Sequence, residues 1–255
     1  MTLRLSYLIH VLLLILTAMA GCVSNRSQPE VKPDPAAYHY QMGQSYLGER
    51  NFTSALMELT EAEKLDTDNP DVLYNLGLAY IGKRRPDLAE KSLLKVIQLK
   101  PTNSVARNDL GVAYLDLKRW DSAIQQFKIV KDDIFYDNSE NATINLGLAY
   151  LGKGDYPKAL EELNIVLHAN PRKLEARLSL GRVYFAMDKP EQAAIEYNKA
   201  LAIYRDYGDA HYYLGLAYIK LQKIDAARTA FHEVMRIKPN SELGRSSLEY
   251  LELLK

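Results

Sequence analysis

Leu76-Gly77-Leu78-Ala79-Tyr80-Ile81 is one copy of a phrase, Leu-Gly-x-x-Tyr-Leu/Ile in its usual form, that recurs around Gly43, Gly77, Gly111, Gly147, Gly181 and Gly215. The intervals between these glycines are 34, 34, 36, 34 and 34 residues. A fixed period near 34 is the mark of stacked helix-turn-helix units, each too small to bury its own apolar face. Such an array presents a long grooved surface, and any chemistry would need residues grafted onto it.

One unit shows how the phrase builds a helix pair. In the stretch 70–103, Pro70 starts a helix at the first turn, where its missing N–H costs nothing. Leu73, Leu76, Ala79 and Tyr80 then recur at helical spacing. Gly82-Lys83-Arg84-Arg85-Pro86 breaks the chain, Leu88, Ala89, Leu93, Val96 and Ile97 form a second amphipathic face, and Pro101 stops it. Gly77 and Ala89 are small where the two helices are expected to cross, because interiors packed to near-crystalline density leave no room for more.

The pattern resembles the tetratricopeptide repeat. The small first-helix residue is the glycine of each unit. The aromatic three residues later is Tyr46, Tyr80, Tyr114, Tyr150, Tyr184 and Tyr218, and the alanine opening the second helix is Ala55, Ala89, Ala123, Ala159, Ala193 and Ala227. The closing proline is present as Pro101, Pro171 and Pro239 and replaced by Thr67, Phe135 and Arg205. The resemblance implies an all-α fold: a right-handed α-solenoid of six repeats, twelve helices, plus a C-terminal capping helix. The repeats are expected at 36–69, 70–103, 104–139, 140–173, 174–207 and 208–241, with 242–255 as the cap. In the cap, Leu243, Leu248, Leu251 and Leu254 suit a helix that covers the open end of the stack.

The 36-residue interval places two extra residues at Val130 to Ser139, and solenoid insertions fall in loops. Asp132 and Asp133 followed by Phe135 and Tyr136 either set aromatics beside charge on the surface or fold into a packed turn.

The first 21 residues read as an export signal. Arg4 is followed by an apolar stretch from Tyr7 to Leu16 broken by His10, too short for a span of about 20 residues. Met19-Ala20-Gly21-Cys22 resembles a bacterial lipobox, which implies acylation of the Cys22 thiol, cleavage before it and acylation of the new amino terminus. A plain secretory leader or an uncleaved anchor is the competing reading. Cys22 is the single cysteine of the chain, so there is no disulfide framework and no thiolate metal site. Val23, in place of Asp after the cysteine, implies sorting to the outer membrane, facing the periplasm. Residues 22–35, rich in Ser, Asn, Gln and Pro, read as a solvated tether.

The charges balance, 32 basic against 32 acidic residues, so no basic face argues for nucleic acid. No two of the histidines His10, His39, His168, His211 and His232 stand four apart, and no phosphate loop or nucleophile elbow is found. Asp66-Thr67-Asp68-Asn69-Pro70-Asp71 lacks the central Gly and distal Glu of a calcium loop and reads as a turn with a helix cap. The sequence therefore predicts no enzyme, no cofactor and no metal site.

Binding remains. In a tetratricopeptide superhelix the first helices line the concave groove. By helical phase one row is Tyr40, Tyr74, Asn108, Ile144, Leu178 and Tyr212, and its neighbour is Gln44, Leu78, Val112, Leu148, Arg182 and Leu216. These rows either meet a partner or complete packing between helices, the tyrosines being the better surface candidates. Some repeat proteins clamp a chaperone's terminal carboxylate, but of the corresponding Tyr40, Gln44, Asn75, Val105 and Asp109 only Asn75 fits. An amphipathic or extended apolar segment of a protein client is the expected occupant.

Leader, tether, six repeats and cap together resemble the type IV pilus biogenesis lipoproteins of the PilF/PilW family. Asp132-Asp133-Ile134-Phe135-Tyr136-Asp137-Asn138-Ser139-Glu140 and Asn145-Leu146-Gly147-Leu148-Ala149-Tyr150 are the stretches closest to it. The resemblance implies a pilotin that delivers the pilus secretin to the outer membrane and promotes its multimerisation. The alternative is a general periplasmic interaction scaffold for envelope or peptidoglycan assembly. Oligomeric state is left open, a monomer being the expectation.

Overall fold

The computed structural model describes residues 34–254, and the leader, Cys22 and the tether up to residue 33 lie outside them. Thirteen helices follow one another among the described residues, with no strand. The first unit pairs α1 (Pro35–Gly48) with α2 (Phe52–Leu65), and the second pairs α3 (Pro70–Gly82) with α4 (Pro86–Leu99). Then come α5 (Ser104–Asp116) with α6 (Trp120–Lys131), and α7 (Ser139–Lys153) with α8 (Tyr156–Ala169). The last pairs are α9 (Leu174–Ala186) with α10 (Pro190–Ile203), and α11 (Gly208–Lys220) with α12 (Ile224–Ile237), before the single helix α13 (Glu242–Leu253). Helix α1 begins at Pro35, one residue inside the stretch expected to be tether.

Local chemistry sets these boundaries. Asn69 Oδ1 accepts from the Asp71 and Val72 amides at 2.9 and 3.3 Å, so the calcium-loop lookalike is a turn and a helix cap. Asn103 and Ser241 cap α5 and α13 in the same way, at 3.0 Å each. At each turn inside a unit the carbonyl of the recurring tyrosine accepts the amide five residues on, from Tyr46 to Asn51 at 2.8 Å through Tyr218 to Lys223 at 2.9 Å. This bond closes a helix end and requires a left-handed residue just before it. Gly154 (φ 84°) fills that position once, while Arg50, Arg84, Lys118, Asp188 and Gln222 adopt it with φ of 55–58°.

Close crossing explains the recurring glycine. A Cβ built on Gly43, Gly77, Gly111, Gly147, Gly181 or Gly215 would come within 2.3–2.9 Å of Leu59, Leu93, Phe127, Leu163, Tyr197 or Phe231 respectively. Each partner lies sixteen residues on, in the second helix of the same unit, so the glycine accepts a large side chain against bare backbone. All six partners are 0% exposed.

Every helix packs on the next in sequence. First helices also touch the first helix of the following unit, whereas no second helix reaches the next second helix. The first helices therefore form the inner, shorter-radius layer. The curvature brings the α3–α4 turn near the start of α13, where Arg84 and Glu242 pair at 3.2 Å across 158 positions of sequence.

Candidate protein-binding groove

The inner face is stitched by hydrogen bonds between successive first helices. Tyr40 on α1 accepts from Gln44 at 2.8 Å and from Asn75 on α3 at 3.3 Å. Tyr74 on α3 donates to Asp109 Oδ2 on α5 at 2.8 Å. Asn108 on α5 donates to Asp109 Oδ1 at 3.2 Å and accepts from Asn145 on α7 at 3.3 Å. These bonds link partners 35, 35 and 37 residues apart, one repeat or slightly more, as side chains at equivalent positions of neighbouring units must be.

Burial, and then the neighbouring Asp109 charge, hold the Tyr74 hydroxyl well above its ordinary range. Burial likewise raises the Asp109 carboxyl, against the two hydrogen bonds that favour its ionised form.

The predicted rows divide. Tyr40, Tyr74, Asn108, Leu78, Val112 and Leu148 are half-buried along this face, and Gln44 is exposed. Ile144 is 4% exposed and sits in the core cluster with Leu146 and Leu110, so its position in the row is one of packing and not of a surface. Tyr212 keeps some exposure, but its ring lies against Tyr213, Phe231 and Tyr250 at 5.5, 6.0 and 6.4 Å, which ties it to the cap. At this end of the groove Arg182 stands over the Tyr213 ring at 5.4 Å. Asn75, the residue that fitted a carboxylate clamp, spends its amide on the Asp71 carbonyl at 2.8 Å and on Tyr40.

The insertion occupies 132–138, between a shortened α6 and α7. Asp133 accepts from the Ser104 hydroxyl and from the Phe135 amide, which lowers its pKa and fixes the turn. Phe135 stands out at 88% exposure, as does Ile134, while Tyr136 turns inward and feels both burial and the Asp109 charge. Both readings of the loop hold, one for each aromatic. Phe135 also borders a surface depression of about 460 Å³ shared with Pro101, Ser104, Arg107 and Ile129.

Among the described residues no group of three or more His, Cys, Asp or Glu side chains could hold a metal ion. No described helix is long and apolar enough to cross a membrane.

Tetratricopeptide repeat models match residues 40–104, 144–208 and 208–241. The chain belongs to the tetratricopeptide repeat family. Repeats of this family are typically protein–protein interaction scaffolds. Among solved structures the chain is similar to PilW, a widely conserved type IV pilus biogenesis factor, with TM-score 0.71 at 19% identity, over 85% of this chain and 100% of that one. It is also similar to PilF of Pseudomonas aeruginosa, with TM-score 0.62 at 19% identity over 84% and 97%. A tetratricopeptide repeat protein of Parabacteroides merdae superposes with TM-score 0.77 at 18% identity, over 88% and 86%. At such identities the likeness is one of fold. By sequence the chain is similar to RNA polymerase II-associated protein 3 of Mus musculus, 27% identical over 48% of this chain. The chain spans only 18% of that relative's length.

Two features of the groove escaped sequence reasoning. In the sequence Asp109 stands only as a misfit to a clamp, and Asn145 only as part of a stretch that resembles the PilF/PilW family. The signal that could have found them is polar residues in successive units one place after the groove row: Asn75, Asp109 and Asn145.

Proposed function

We propose that this protein is a non-enzymatic, lipid-anchored pilotin of the type IV pilus system, holding its client in the repeat groove. The observation that carries the reading is the extent of the likeness to the pilus biogenesis factor PilW, all of whose chain is matched by 85% of this one. Cys22, at the end of a leader with a lipobox, carries the acyl chains. More than one chain is needed for stable anchoring, since a single one gives marginal, reversible binding. Val23 directs the protein to the outer membrane, and the tether lets the repeats face the periplasm. No covalent chemistry is involved. The lipid sorts the complex, and the groove binds the pilus secretin during its delivery and multimerisation.

Secretin assembly in the native host tests this, with deletion, wild-type and Cys22→Ser strains compared. Membranes are fractionated and probed for the heat-resistant secretin multimer. The multimer should be lost on deletion and retained in the inner membrane with Cys22→Ser. Normal outer-membrane rings in all three strains would overturn the pilotin and leave the general envelope scaffold.

A further inference from the structure

Asp109 is the charged centre of the groove's polar ladder, and it has no cation. Its oxygens accept from two neutral donors, the Tyr74 hydroxyl at 2.8 Å and the Asn108 amide at 3.2 Å. Among the described residues it joins no ion pair, although sixteen pairs of Lys or Arg with a carboxylate are formed elsewhere in the array. Arg182, a cation of the same face two units away, is committed to the Tyr213 ring of the last unit. Asp109 is buried only in part. A carboxylate has about four acceptor sites, and the two bonds leave the others open. Tyr74 meets Asp109 through its hydroxyl, Tyr136 lies near enough to feel its charge, and on the next turn of the same helix stands the half-buried Val112.

We infer that the groove takes an extended apolar protein segment carrying one arginine or lysine, whose cationic head docks on Asp109 beside Tyr74 and Asn108. The charge decides the occupant: a carboxylate held by neutral donors repels an acidic segment and gains nothing from a neutral one. Desolvation of Asp109 is already partly incurred in the free protein, so pairing with a cation recovers it without reorganising the site. A bidentate arginine suits the open lone pairs better than a lysine. This inference rests on the groove being the client site and adds the chemistry of the client.

Three fluorescein-labelled peptides test it by anisotropy with the full chain. Each alternates leucine and serine and has a central arginine, glutamine or glutamate. The arginine peptide should bind at least about tenfold more tightly than the glutamate peptide, a difference of about 1.4 kcal/mol. Asp109→Asn should erase that preference and leave the glutamine peptide's affinity unchanged, which also shows that the variant is folded. Tyr74→Phe, which keeps the charge, should retain the preference. Val112→Arg, placed to block the groove, should abolish binding of all three. Equal affinity of the three peptides for wild type, or a preference that survives Asp109→Asn, overturns the cation site alone. Binding that survives Val112→Arg, or no binding of any peptide to wild type, overturns the groove as client site and the inference with it.

Discussion

Both oxygens of Asp109 are hydrogen-bonded, yet its carboxyl is pushed above the ordinary carboxylate value, because burial outweighs what Tyr74 and Asn108 return. The side chains that face it are Tyr74 from α3, Asn108 from its own helix and Tyr136 from the insertion, none of them a cation. In the unfolded chain the group titrates near pH 3.9. Below that value it is protonated in both states and no charge is buried. Above the raised folded value it is ionised in both, and the full cost of the buried charge is present. Folding stability from this group is therefore lost as pH rises through that window. Asp109→Asn removes the titration but keeps one acceptor of two, so at low pH wild type should hold an advantage of about 1 kcal/mol for the lost hydrogen bond. That advantage should shrink or reverse by pH 7. Thermal melts of both proteins across pH check it, and a difference that does not change with pH would show that the charge is not desolvated. The residue that weakens the free fold is the one placed to bind, as sites held ready for a charged partner tend to be.

At the scale of the helix pair, Tyr197 occupies the place held by Leu or Phe in the other five units, against the glycine of the first helix. Its ring is fully buried beside Gly181 and stacks at 5.9 Å on Tyr213, but its hydroxyl meets no hydrogen-bonding group. An unsatisfied buried hydroxyl costs about 1–3 kcal/mol, so Tyr197→Phe should stabilise the array by about 1 kcal/mol or more, read as a raised denaturation midpoint. A lower midpoint would mean that the hydroxyl has a partner in solution. The glycine-to-second-helix crossing was legible in the sequence, because it repeats within a unit at constant spacing. The stitching of Tyr74 to Asp109 and of Asn108 to Asn145 was not. It joins different units, and which side chains meet there depends on how far each unit rotates against the last. Ile144 shows the same limit. Helical phase put it in the groove row, but its apolar side chain is 4% exposed and packs within the core cluster, where Tyr74 and Asn108 at the same place in their units stay half-buried. Phe135 and Tyr136, adjacent in sequence, part because Asp133 holds the Phe135 amide and sets the direction of the turn.

Across the whole array most of the buried apolar residues fall into three clusters: one within units one and two, a large one from unit two to unit five, and one across units five and six. Stability in a repeat array is close to a sum of unit terms and nearest-neighbour interfaces, so the ends, with one neighbour each, should open first. The C-terminal end is closed by α13, whose Tyr250 ring lies parallel to Phe231 at 5.0 Å and 5°. Tyr250→Ala should remove about 2 kcal/mol of apolar contact from this interface. Because α13 touches only α11 and α12, the loss should stay local. The exposed Arg84–Glu242 pair, the one link from α13 to a distant unit, is too solvated to carry it further. Native-state hydrogen exchange should therefore show wild-type protection highest in α7 and α8, and in the variant lowered protection of α11 to α13 with α5 to α8 unchanged. Unfrayed middle units would leave Asp109 and its ladder in place while the cap loosens, so client binding and end stability would be separable properties of one chain. Loss of protection spread evenly over all thirteen helices would instead mean that the array opens as a single cooperative unit.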